Sequence, residues 1–167
     1  MAQALSILAR QSHDRPPIGW DEMVVGYDFG LLEPREIQGW ALGQPRPGPR
    51  CLELGALDGE RMAGFEAVLW AACAEGTGQV PRPGGRRWAR AQDRWRAALL
   101  QEALDAPLTP EALAVAVEAI YDRVGCPEDM LGLWRRTSPW QARPADADRE
   151  EVVRFLHRCE RDGAANF

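Results

Sequence analysis

The sequence predicts an all-α protein, a single bundle of about six to seven helices spanning 1–167 and joined by Pro/Gly-rich loops. Apolar residues recur at three- and four-residue intervals over most of the chain. Proline and glycine cluster between the periodic stretches, where helices must stop. Only Cys51-Leu-Glu-Leu54 alternates as a strand would, and four residues with no partner run make no sheet.

Taken in order, residues 3–12 form a short amphipathic start. The run from Trp20 sets Trp20, Met23, Val24, Tyr27 and Leu31 on one face, with Gly30 as a left-handed stop. Pro34 suits the first position of the next helix, which turns Ile37, Trp40 and Ala41 inward. These two helices make a tight hairpin. Gln44 to Arg50 carries three prolines in five residues and reads as a connector. Asp58 is placed to cap a helix with Met62, Phe65, Leu69, Ala72 and Cys73 inside. A Gly/Pro loop, 76–85, precedes a long helix from Arg86 to about Leu104 that buries Trp88, Ala91, Trp95, Ala98 and Leu99.

Thr109-Pro110-Glu111 combines a capping hydroxyl, proline at the first position and an acid at the positive helix end. Leu113, Val117, Ile120, Tyr121 and Val124 extend that helix as one stripe. A short helix follows Pro127 and carries Met130, Leu131, Leu133 and Trp134, with Pro139 closing it. The last helix spans about Ala147 to Arg161, with Val152, Phe155, Leu156 and Cys159 inward.

Composition bounds the chemistry. The charged fraction of 27% and hydrophobic fraction of 46% are those of a folded domain, and seven tryptophans supply core. The four cysteines lie far apart with no CxxC, and the N-terminus lacks the basic start and cleavage site of an export signal, so reduced thiols in the cytoplasm are expected. No apolar run approaches the roughly 20 residues of a membrane span. All 20 basic residues are arginine, a pattern a GC-rich genome explains, and the absence of lysine removes Schiff-base, P-loop-lysine and Ser–Lys chemistry. A formal net charge of −5 disfavours nonspecific binding to nucleic acid or to anionic membrane.

No catalytic, metal or cofactor motif emerges. Ser6, Ser12 and Ser138 lie outside any GxSxG, and His13 and His157 read as surface or boundary residues. Neither Glu-x-x-His nor His-Glu-x-x-His occurs. Paired acids at helix starts are explained by the helix dipole alone. The hairpin at 20–42 offers one arginine, Arg35, against Glu33 and Glu36, a poor recognition helix for DNA.

The distinctive local feature is basic. Between Arg82 and Arg96 stand six arginines (82, 86, 87, 90, 94, 96) and one acid, Asp93, so this stretch carries +5 and the remainder −10. Arg86, Arg90 and Arg94 recur every four residues and share a helix face, with Trp88 and Trp95 on another. The plainer reading is a solvated face that pairs with acidic neighbours; the functional one is a docking stripe for a carboxylate- or phosphate-bearing partner.

Two stretches carry a family resemblance. Trp20-Asp-Glu-x-x-x-Gly26-Tyr27-x-x-Gly30-Leu31-Leu-x-Pro-x-Glu-Ile37-x-x-Trp40-Ala41 and Ile120-Tyr121-x-x-x-x-Cys-Pro127-Glu128-Asp-Met130-x-x-x-x-Arg135-x-x-x-Pro139 resemble the two signatures of an uncharacterised bacterial family catalogued as domain of unknown function 2247. Cys126 stands where the family pattern has an aromatic, and Glu33 where a better capping residue is expected. The resemblance implies a small helical bacterial cytosolic protein and no particular activity.

A catalytically bare, acidic domain suits a binding protein of the immunity type, one that covers another protein, such as a basic toxin domain. The acids Asp21, Glu22, Asp28, Glu33 and Glu36 beside the hairpin are the expected exposed contacts, with Arg86, Arg90 and Arg94 as a second candidate set. An enzyme assembled from scattered Asp, Glu, Arg and His residues and a structural oligomerising module are the alternatives.

Overall fold

In the computed structural model, which describes residues 4–10, 17–137 and 147–164, the described residues form nine α-helices and two 3-10 turns, with no strand. The helices are α1 (Ala4–Arg10), α2 (Trp20–Asp28), α3 (Pro34–Leu42), α4 (Pro49–Gly55), α5 (Phe65–Thr77), α6 (Arg86–Asp105), α7 (Pro110–Arg123), α8 (Leu131–Thr137) and α9 (Ala147–Ala164). The chain divides into two compact units, Met1–Ala91 and Gln92–Phe167.

In the first unit α2 packs on α5, α3 on α4, and α4 on α5. The core comprises Met23, Val24 and Val25 of α2, Ile37 and Ala41 of α3, Cys51 and Leu54 of α4, and Phe65, Leu69 and Cys73 of α5. Each large aliphatic side chain fully withdrawn from water there contributes about 1.5–3 kcal/mol of transfer free energy. The α2 stop falls where the sequence places it: Gly30 has φ +60°, and the Leu31 amide donates back to the Gly26 carbonyl at 2.8 Å. Trp20 meets Trp40 edge to face at 4.9 Å, which joins the two helices of the hairpin.

Three expectations for this unit are corrected. Cys51-Leu-Glu-Leu54 is helical, because Pro49 occupies the first turn of α4 and fixes a helical φ there. The polar–apolar alternation is a local coincidence within a seven-residue helix, one of the nine among the described residues. Asp58 precedes a 3-10 turn, Gly59–Gly64, to which its side chain gives no cap, and α5 proper begins only at Phe65.

In the second unit α7 and α9 both pack on α8 and on each other. Its core holds Trp95, Leu100, Leu113, Val117, Met130, Leu133, Val152 and Phe155. Leu100 is fully buried while Leu99 is half-buried, a shift of one position along α6 from the expected face. The Thr109 hydroxyl accepts the Ala112 amide at 3.3 Å, as the Thr-Pro-Glu signature requires. Tyr121 stacks on Trp134 at 5.5 Å, and Gln92 Nε2 donates to the Val124 carbonyl at 2.6 Å, tying α6 to the end of α7. Pro139 lies outside the described residues.

Candidate functional site

The loop between α5 and α6 builds a concavity lined by several basic residues. Gly84 has φ +77°, and the Gly85 amide donates to the Arg82 carbonyl at 2.9 Å, so the chain reverses tightly before α6. A Cβ on Gly85 would lie 3.0 Å from that same carbonyl, which keeps the position to glycine or a shifted turn. The reversal leaves a groove of about 540 Å³ between residues 79–82 and Gly85, Arg86 and Arg87 at the entry to α6.

Arg87 anchors this turn from within. Its Nε donates to Asp21 Oδ2 at 2.9 Å and its Nη2 to Asp21 Oδ1, a bidentate pair. Nη1 reaches the Gln79 carbonyl at 2.9 Å and Nη2 the Thr77 hydroxyl at 2.8 Å. The Thr77 hydroxyl in turn lies 2.8 Å from the Cys73 carbonyl and 2.7 Å from that of Gln79. One guanidinium thus joins the start of α2, the end of α5 and the connector. The hydrogen bond to Asp21 raises the Arg87 pKa above its ordinary value, so the cation is fixed. Burial, helped by the field of Asp21, pushes the neighbouring Cys73 thiol up and keeps it protonated, although Thr77 and Arg87 act the other way.

Arg82 and Arg86 line the groove and are exposed, and their side chains take no ion pair or hydrogen bond among the described residues. Arg90 is exposed one turn further on, outside the groove lining, while Arg94 belongs to the second unit and is half-buried. The six-arginine segment is therefore divided. Arg87 is structural in the first unit, and Arg96 is structural in the second, where it is 2% exposed and bound to Asp129 at 2.5 Å and Asp93 at 2.8 Å. Its guanidinium carbon also sits 5.1 Å from the centre of the Phe155 ring.

Beside the hairpin, only part of the expected acidic surface is open. Glu22 is buried, with Oε2 accepting the Gly19 amide at 2.8 Å at the start of α2. Glu36 is half-buried and its Oε2 accepts the Glu33 amide at 2.9 Å at the start of α3. Asp21 is held by Arg87. These acids do what free helix ends demand, satisfying amides that have no intrahelical acceptor. Asp28 and Glu33 remain exposed. His157 is exposed on α9, and His13, Ser12 and Ser138 lie outside the described residues. Among the described residues no three His, Cys, Asp or Glu side chains gather as metal ligands would, and no helix is long and apolar enough to cross a membrane.

The sequence reading missed three exposed large apolar side chains on the first unit. Leu42 is 52% exposed, Leu52 50% and Trp70 45%. The Leu42 side chain lies on the bare backbone of Gly55, where a Cβ would stand 2.5 Å from it. Leu52, three residues before Gly55, shares that face of α4. Trp70 was legible by elimination: with Phe65, Leu69, Ala72 and Cys73 inside, position 70 falls on the outer side of α5. Leaving 51–54 outside the predicted helices hid Leu52.

No family model, curated protein or solved structure matches the chain.

Proposed function

We propose that this protein is a non-catalytic binding protein of the immunity type, which neutralises a partner protein by covering its working surface. The observation that carries the reading is the exposed trio Leu42, Leu52 and Trp70 on the first unit. Tryptophan is the side chain most enriched among residues that dominate binding energy, and apolar exposure beside charged residues suits a protein interface. Leu52 is flanked by the Arg50–Glu53 ion pair, a charged rim at 2.6 Å. The partner in this reading is a basic domain, because a net charge of −5 speeds its approach. Asp28 and Glu33, the acids left exposed beside the hairpin, are the charged contacts. Kinship with the family catalogued as domain of unknown function 2247, bacterial origin and a cytoplasmic location belong to the same proposal and rest on the two motif stretches.

Tagged protein expressed at native level in the organism that encodes it, purified and read by mass spectrometry, tests the reading. One near-stoichiometric partner is expected, lost when Trp70→Ala is combined with Leu52→Asp and bound with weaker salt dependence by Asp28→Asn/Glu33→Gln. Recovery of the chain alone, even after cross-linking, overturns it.

A further inference from the structure

The groove before α6 has a chemistry that the protein-binding reading does not use, and the inference drawn from it stands without that reading. Three arginines, Arg82, Arg86 and Arg87, are among the residues that line one concavity. Asp21 neutralises Arg87, and no acid neutralises the other two among the described residues. The amides of Arg86, Arg87 and Trp88 likewise have no acceptor there, since the first backbone bond into the helix is that of Ala89 to the Gly85 carbonyl at 3.0 Å.

Arginines in the first turn of a 20-residue helix oppose its dipole, and no acidic residue offsets them there. Positive charge gathered in this way is unfavourable until an anion joins it. The backbone beneath is held by the Arg87 network and the Gly84–Gly85 reversal, so the amide donors are set before any ligand arrives, while the exposed Arg82 and Arg86 side chains close on it.

We propose that the groove lined by Arg82, Arg86 and Arg87 binds the phosphoryl group of a small phosphorylated molecule. A tetrahedral dianion offers three oxygens, enough to meet two guanidinium forks and the open amides together; a planar carboxylate offers two. A groove of about 540 Å³ lies within the usual range for small-molecule sites and leaves room for an organic portion beyond the phosphoryl group.

The test uses the full chain, labelled with nitrogen-15 and titrated at constant ionic strength with inorganic phosphate, phenyl phosphate and benzoate. Saturable shifts are expected at the amides of Gly85, Arg86, Arg87 and Trp88, with phenyl phosphate binding most tightly. Arg82→Gln/Arg86→Gln should weaken phenyl phosphate by about tenfold or more, whereas Arg90→Gln should leave it unchanged; unaltered amide spectra elsewhere establish that both variants are folded. Linear, non-saturating shifts, equal affinity in the double variant, or weakening by Arg90→Gln to the same degree would each overturn the site. Benzoate binding as tightly as phenyl phosphate would overturn the phosphoryl assignment.

Discussion

Removing the buried cation of the second unit should cost less than removing the acids that neutralise it. The Arg96 side chain is 3% exposed, whereas those of Asp93 and Asp129 are 56% and 61% exposed. Burial works against the Arg96 charge, yet the hydrogen bond to Asp129 and the field of Asp93 hold its pKa above the ordinary arginine value. Asp93→Ala/Asp129→Ala leaves that cation buried without its counter-ions, and breaking a buried pair in this sense costs about 3–5 kcal/mol. Arg96→Met removes the charge instead and leaves two solvated carboxylates.

The methionine keeps most of the buried volume and can lay its sulfur against Phe155, replacing part of a cation–π contact worth about 0.5–2 kcal/mol. It also removes a buried Nε that has no hydrogen-bond partner among the described residues, itself a cost of about 1–3 kcal/mol. Arg96→Met is therefore expected within about 1.5 kcal/mol of the parent. Urea unfolding followed by tryptophan fluorescence, with unchanged slope as the check on cooperativity, measures both. If Arg96→Met costs as much as the double acid variant, the asymmetric-burial argument is wrong.

Gly30→Ala should destabilise by about 1–2 kcal/mol through backbone conformation alone, because φ is +60° and nothing lies within 4 Å of the added Cβ; no change in the urea midpoint would show that the α2 stop tolerates a side chain. Cys126, exposed, should react with a thiol reagent at neutral pH well before buried Cys51 and Cys73; comparable labelling rates in the native protein would refute the burial. Burial is the first cause of the raised pKa of both inner thiols. With the folded value above the unfolded one, their contribution to stability is complete below the ordinary thiol range and is lost as pH rises through the folded values. The melting temperature should accordingly fall on the alkaline side, above about pH 9, and Cys51→Ala/Cys73→Ala should show a smaller fall; an identical pH profile would exclude the thiols as its source.

Sequence by itself determined the helical class and most helix ends, since those depend on local chemistry. Pro34, Pro110, Thr109 and Gly30 act within a few residues of where they stand, and each has the predicted place in the structure. Most inward faces followed as well, because a 3.6-residue period fixes which side chains share a side.

Only tertiary structure decided which charges are spent and which are open. Arg87 and Arg86 are neighbours of equal chemistry, yet a single step around the helix sends one to Asp21, 66 residues away in sequence, and leaves the other lining a groove. Glu22 and Asp28 lie on the same helix, one buried on an amide and the other in solvent. Such outcomes depend on what a distant segment presents at that point, and no local pattern records it. The alternation at Cys51–Leu54 left that run outside any predicted helix even though no partner run supplies a sheet, and Pro49 begins a helix there.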